Sequence, residues 1–357
     1  MAKRARMCVM LISLLAFIAV GSKLIILLLT KSINISPRLS AVGQSGRVVA
    51  SGAVDEHQFK GTDRHCNPGH FQLNNDGICH PMLTCKDIQD SVTGIHKIGG
   101  GKHKNVYLAR WKEYNVSLVN LTNPNPSYTN YFLSAAKNLQ KFHPSPFVTQ
   151  LLGFCSSIPA IVTEYHKYGS LANIKNILKD TDEDSGATRF QLCLDYVKII
   201  HFLHSGPTGA YVMCDTYTLI QTLSQFLVTS NFHVVVNDLD LLPLVNSSKG
   251  ILTNCWGKVS VEAGQFAAPE QLLWSSTKDE VPGYDEKSDI WKIPAVVDYL
   301  LGADLHGNLT KLILSKLHQK CRSKDPKLRP TAAEVLKGYL DVQQTLKIIE
   351  QSVYSIS

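Results

Sequence analysis

Two groups of residues in this chain have the types and spacing to work on phosphates. The first is the stretch Ile98-Gly99-Gly100-Gly101-Lys102-His103-Lys104-Asn105-Val106-Tyr107. It reads as strand–turn–strand, and glycines, lacking a Cβ, let a backbone come close to a phosphate. A simple glycine hairpin has the same pattern. The second group is acidic. Asp215 closes Val212-Met213-Cys214-Asp215, and Asp238 and Asp240 end the apolar run that begins at Phe232. Taken singly, neither group decides a function.

The elements that must position these residues are ordered as a β-rich start, a mostly helical second half, and charged loops between them. Ile161-Val162-Thr163-Glu164-Tyr165 is a β-branched strand followed by Gly169-Ser170-Leu171. Further on come Ala267-Ala268-Pro269-Glu270, Tyr284-Asp285-Glu286-Lys287-Ser288-Asp289-Ile290-Trp291 and Lys324-Asp325-Pro326-Lys327-Leu328-Arg329-Pro330-Thr331. An A-P-E triplet is common by chance, and a buried acid on a helix is often structural, but the order and spacing of the whole set are not random. It resembles the catalytic loop, D-F-G, A-P-E, F-helix aspartate and terminal R-P-T of protein kinases. The resemblance covers about residues 93–346. The fold class it implies is α+β, a bilobal protein-kinase fold with a β-rich N-lobe and a helical C-lobe.

The resemblance assigns roles residue by residue. Asp215 stands where the kinase base accepts a proton from the incoming hydroxyl, and Asp238 matches the D-F-G aspartate that holds a metal against ATP. Gly99, Gly101 and Val106 fall on the glycine-rich loop, and Glu164 falls at the hinge that meets adenine. The asparagine expected five residues after the base is Ile220; Gln225, preceding Phe226-Leu227-Val228, aligns with it if about five residues are inserted, and is the second expected metal ligand. Asp240 replaces the D-F-G glycine, either as a second acid near the metal or as a solvated loop acid. The expected V-A-I-K is Val116-Ser117-Leu118-Val119, without a lysine. Lys104 is the substitute, at the position where with-no-lysine kinases carry theirs, with Lys102 in reserve. No acid occurs from Val116 to Val162, so another acceptor must orient Lys104. Glu270, Arg329 and Asp289 are expected to be structural. The H-R-D arginine is Cys214, which pairs with Cys255 or stays free.

A narrower resemblance, to the protein O-mannose kinase family, rests on Cys66–Phe71, M-C-D in place of H-R-D, N-D-L-D around Asp238, and Tyr284–Lys287 with Trp291-Lys292-Ile293-Pro294. It implies an ATP-dependent enzyme using Mg2+ or Mn2+ that phosphorylates the 6-hydroxyl of O-linked mannose. The acceptor it implies is the N-acetylgalactosamine–N-acetylglucosamine–mannose trisaccharide of α-dystroglycan, a step needed for the laminin-binding glycan. The competing readings are a luminal pseudokinase or binding scaffold without turnover, and a secretory-pathway kinase for protein hydroxyls.

The compartment is read independently. Lys3, Arg4 and Arg6 precede an apolar run over 7–29, long enough to span a bilayer. The expectation is a type II anchor in the endoplasmic reticulum membrane with a cytosolic tail at 1–6 and the kinase in the lumen; a signal peptide cleaved near Ala19–Gly21 is the rival. Residues 30–65 read as a stem, 66–92 as a disulfide-containing extension, 93–165 as the N-lobe, 166–346 as the C-lobe and 347–357 as a tail. Sequons at Asn34, Asn115, Asn120, Asn246 and Asn308, and eight of the nine cysteines (all but Cys8, within the apolar run), agree with an oxidising lumen. Spacing does not settle connectivity; Cys66 with Cys79, and Cys85 with Cys155, are the expected pairs, and the spacing matches no common zinc site. With 357 residues, 44% hydrophobic and 18% charged, the chain can bury a sizeable core. Its net charge of +7 is dispersed without aromatic–basic alternation, so no nucleic-acid partner is expected.

Overall fold

The computed structural model describes residues 66–73, 77–101, 103–123, 125–255, 266–272 and 283–354. The apolar run 7–29, the stretch 30–65, Asn34 and Lys102 lie outside the described residues. Among the described residues no helix is long and apolar enough to cross a membrane.

The cysteine-bearing entry, read from sequence as a disulfide-containing extension, holds a small hairpin and a helix. Strand β1 (His70–Gln72) pairs with β2 (Cys79–Pro81), and a Cys66–Cys79 disulfide closes the hairpin. Helix α1 (Cys85–Ser91) starts because Thr84 and Asp87 cap each other: the Thr84 hydroxyl accepts the Asp87 N–H and the Asp87 carboxylate accepts the Thr84 N–H. A second disulfide joins Cys85 to Cys155.

The N-lobe is an antiparallel sheet of β3 (Val92–Gly100), β4 (Lys104–Trp111), β5 (Tyr114–Leu121), β6 (Leu151–Cys155) and β7 (Ala160–Glu164), ordered β3-β4-β5-β7-β6. Between β5 and β6 lies α2 (Pro126–Lys141), which opens with Pro126 at its first turn and Asn125 accepting from the Tyr128 N–H. Its buried residues Phe132, Ala135, Ala136 and Leu139 recur at helical spacing and face the lobe interior.

The C-lobe begins with α3 (Ile174–Thr181) and α4 (Gly186–His204). Helix α4 is apolar around most of its circumference because it runs through the centre of the lobe, against the later α7 (Lys287–Leu301) and α9 (Ala332–Tyr354). Between α4 and α7 come β8 (Ala210–Tyr211), α5 (Leu219–Ser224), the hairpin β9 (Phe226–Val228) and β10 (Val234–Val236), then β11 (Leu244–Val245) and α6 (Pro269–Leu272). Helix α8 (Leu305–Cys321) separates α7 from α9. Helix α9 continues past residue 346, where a tail was expected, because Val342 and Leu346 extend its buried stripe.

Three apolar clusters hold these layers. The largest fills the C-lobe and reaches α2, Leu151 and Ile161. A second, around Phe71, Trp111, Tyr114 and Val162, lies between the N-lobe sheet and the cysteine-bearing entry. A third surrounds the Cys214–Cys255 disulfide with Val212, Tyr217, Ala267 and Tyr284. The end of β10 is tied to the N-lobe side by Thr149 N–H to Val236 O, at 3.0 Å, and Val236 N–H to Phe147 O, at 2.9 Å.

Candidate active site

Strand register decides which side chains face the cleft. Lys104 lies opposite Leu121, Val106 opposite Val119, and Val119 opposite Ile161. Directly paired residues project from the same face of a sheet, so these five side chains share one surface. They roof a cavity of about 590 Å3. Val119, the position of the missing V-A-I-K lysine, is therefore an apolar neighbour of Val106. Lys104 lies two residues before Val106, on the same face, and delivers an ammonium to the cleft from β4 instead of β5.

Below this roof stand Asp215, Asp238 and Asp240, all lining the cavity. Lys104 Nζ donates to both Asp238 carboxylate oxygens at 2.6 Å and to Asp240 Oδ2 at 3.3 Å. The acceptor that α2 does not provide for Lys104 thus comes from the loop after β10. What α2 supplies instead is Asn138, whose Nδ2 donates to Leu239 O at 2.8 Å, between the two acids. Burial alone would favour the neutral amine of Lys104, but Asp238 and Asp240 outweigh it and hold the ammonium above its ordinary pKa. Burial first, and then Asp238, push Asp240 up to about 6 against the pull of Lys104. The same two causes raise the Asp215 carboxyl above its ordinary value, again opposed by Lys104.

Gln225 does not line this cavity. It caps α5, and its Nε2 donates to Asp215 O at 3.3 Å and Gln221 O at 3.2 Å. Its backbone carbonyl accepts from Asn237 and Asp238 N–H at 2.9 and 3.3 Å. Gln225 thus links the segments carrying the two acids through its amide nitrogen and backbone, and it lines a smaller cavity together with Asp215, Asp238 and Asp240. The residue of α5 that reaches the cavity is Gln221. Sequence alignment to the motif passed over Gln221, although it sits beside Ile220, the nominal asparagine position. Asn237 and His103 also line the cavity unforeseen, the His103 ring stacked on Tyr128 with centroids 3.5 Å apart.

Of the expected nucleotide contacts, Gly101, Lys104 and Val106 line the cavity, while Gly99 and Glu164 do not. Gly99 is paired with Val106 inside the sheet. Glu164 gives its N–H to Gln150 O at 3.0 Å, and its carboxylate accepts the Gln150 N–H at 2.7 Å. Gly100 has the left-handed φ of +144°, and a Cβ there would meet Lys104 O at 2.6 Å. That turn between β3 and β4 requires glycine.

The surrounding acids and cations are braces. Glu270 and Arg329 form a two-pronged ion pair at 2.5 and 2.8 Å, and Arg329 also donates to Ser323 O and Lys287 O. Asp289 Oδ2 accepts the Met213 N–H at 3.1 Å, two residues before Asp215.

The donor set fits a hard divalent cation: Asp238 and Asp240 present only carboxylate oxygens, and the Lys104 ammonium already satisfies both as a positive charge. Among the described residues no group of three or more His, Cys, Asp or Glu could hold a metal by itself. Phosphate oxygens of a nucleotide would complete such a shell.

Comparison with known proteins agrees with this geometry. The family model described as protein tyrosine and serine/threonine kinase matches residues 92–297. The chain is 41% identical over 293 residues to a protein O-mannose kinase of Macaca fascicularis, covering 80% of this chain and 82% of that one. It is 40% identical over 292 residues to the Homo sapiens protein O-mannose kinase, covering 79% and 82%. The chain belongs to the protein O-mannose kinase family. The Gallus gallus member is 41% identical over 299 residues, covering 81% of this chain and 83% of its own. As a member of that family with the kinase fold, the protein is an ATP-dependent kinase that works with a divalent metal ion.

Proposed function

We propose that this kinase transfers the γ-phosphoryl group of ATP to the 6-hydroxyl of O-linked mannose, within the N-acetylgalactosamine–N-acetylglucosamine–mannose trisaccharide of α-dystroglycan. The step enables synthesis of the laminin-binding glycan. The observation that carries the reading is identity near 40% to named O-mannose kinases over four-fifths of the chain, with an intact set of cavity acids. Asp215 accepts the proton of the attacking hydroxyl, and Lys104 orients and neutralises the nucleotide phosphates. Asp238, with Asp240 beside it, holds the metal, for which Mg2+ or Mn2+ suits the all-oxygen donors. Bound there, the metal neutralises charge developing on the phosphoryl oxygens. Glu270, Arg329 and Asp289 keep the acids in place without touching reactants.

The compartment belongs to the same reading. Residues 7–29 anchor the chain in the endoplasmic reticulum membrane as a single-pass type II protein, with the kinase in the lumen. The disulfides Cys66–Cys79, Cys85–Cys155 and Cys214–Cys255 support an oxidising compartment.

The test is ATP-dependent phosphate transfer by the full chain in detergent, with the trisaccharide and hydroxyl-bearing peptides as rival acceptors. Strong transfer to the glycan, weak transfer to peptides, and loss in both Asp215→Ala and Lys104→Ala are expected. Peptides outpacing the glycan would replace this reading with a protein-hydroxyl kinase.

A further inference from the structure

Helix α7 carries a lysine that neither the kinase motifs nor the cavity chemistry uses. Lys292 is 1% exposed, deep beneath the catalytic loop. Burying an ammonium is costly unless it is neutralised and hydrogen-bonded, so its partners show what it is for. Its Nζ donates to Asp289 Oδ1 at 3.2 Å and to the Thr216 hydroxyl at 2.6 Å. Thr216 is the residue after Asp215 and is itself 1% exposed. The Thr216 hydroxyl in turn donates to Met213 O at 2.7 Å, and the Met213 N–H goes to Asp289 Oδ2 at 3.1 Å. The circuit is closed: Asp289, Lys292, Thr216, Met213 and back to Asp289. It grips the chain on both sides of the pair Cys214-Asp215, while Gln225 holds Asp215 O from a third direction.

We propose that Lys292 and Thr216 are positioning residues for phosphoryl transfer: the ammonium–hydroxyl link locks the Met213–Thr216 turn and so fixes where the Asp215 carboxylate sits. The Asp289 contact alone holds only the Met213 end of the turn. Lys292 extends the hold to the other side of the base, with a donor that finds its acceptor only if Thr216 keeps its hydroxyl. The role rests on the kinase activity and is independent of which hydroxyl is the acceptor.

Thr216→Val removes the hydroxyl with little change of shape and leaves the Lys292–Asp289 ion pair in place. Turnover is expected to fall about tenfold to a hundredfold, with the KM for ATP within about twofold of wild type. Thr216→Ser, which restores the hydroxyl, should recover turnover. Adding Lys292→Met to Thr216→Val should cost little further turnover, because the two act as one unit. Amide hydrogen exchange over Met213–Tyr217 should accelerate in Thr216→Val and not in Thr216→Ser. Loss of thermal stability with turnover intact would reduce the link to a structural one and overturn the proposal, as would equal turnover in the Val and Ser variants. If Lys292→Met does not fold, the Val and Ser pair decides alone. If the wild type transfers nothing to the trisaccharide, the substrate reading fails, and exchange rates unchanged in Thr216→Val would still overturn the clamp.

Discussion

Lys104 and Asp215 oppose one another across the cleft, and their coupling has a pH consequence. Asp215 can take a proton from the acceptor only when ionised, so kcat/KM must fall as pH drops through its folded pKa. That pKa is raised above the ordinary carboxylate value by burial and by Asp238, and is held down by Lys104. In Lys104→Met the acid limb of the profile should move to higher pH, and the rate should fall about a hundredfold to a thousandfold with the cation gone. A limb that stays in place, or moves to lower pH, would separate Lys104 from the base. Asp215→Asn should lose about a hundredfold or more, since the acceptor proton then has no base.

At the scale of elements, the register of β4 on β5 does what a lysine on β5 would otherwise do, by setting Lys104 on the face that carries Val106 and Val119. The C-lobe is tied by a pair reaching from α6 to the segment before α9. Arg329 has a fully buried side chain and Glu270 one only 15% exposed, so Arg329→Met leaves a carboxylate with its bidentate partner gone. Unfolding in urea should show a loss of about 3 kcal/mol, and Glu270→Gln should also destabilise because it leaves the fully buried guanidinium without its counter-charge. The Cys85–Cys155 bond spans a sequence separation of 70. Replacing both cysteines by alanine should cost roughly 4 kcal/mol, by the loop entropy restored to the unfolded chain.

At the scale of the whole molecule, activation is expected to need no phosphorylated loop. Kinases that do need one read the phosphate with the arginine before the catalytic aspartate. Here that residue is Cys214, bonded to Cys255 beyond β11, so a covalent bond ties the catalytic loop to the segment an arginine would otherwise hold through phosphate. Phosphatase treatment of the purified enzyme should leave turnover unchanged, and abolition of turnover would show that a phosphate is required after all.

What the sequence alone determined was the kinase order of motifs, because chemistry demands particular residue types: Asp215, Asp238, Glu270, Asp289 and Arg329 stand at fixed places along the chain. It also carried the absence of a β5 lysine and of any acid in α2, since both are statements about composition. Some of the site could be read only as a choice between alternatives: Lys104 or Lys102, Cys214 paired or free, Asp240 near the metal or in solvent. Those choices depend on which face of a strand meets the cleft and on which loops come within a few ångströms, quantities that residues far apart in sequence set jointly. Gln225 shows the limit most plainly. Its place before β9 resembles a metal ligand's, but only the fold shows that its amide nitrogen goes to Asp215 O, that it lines a small cavity with Asp215, Asp238 and Asp240, and that Gln221 reaches the main cavity. The Lys292–Thr216 link was equally out of reach, because two residues 76 positions apart become partners only where packing drives α7 beneath the catalytic loop and leaves a buried ammonium one hydroxyl to bind.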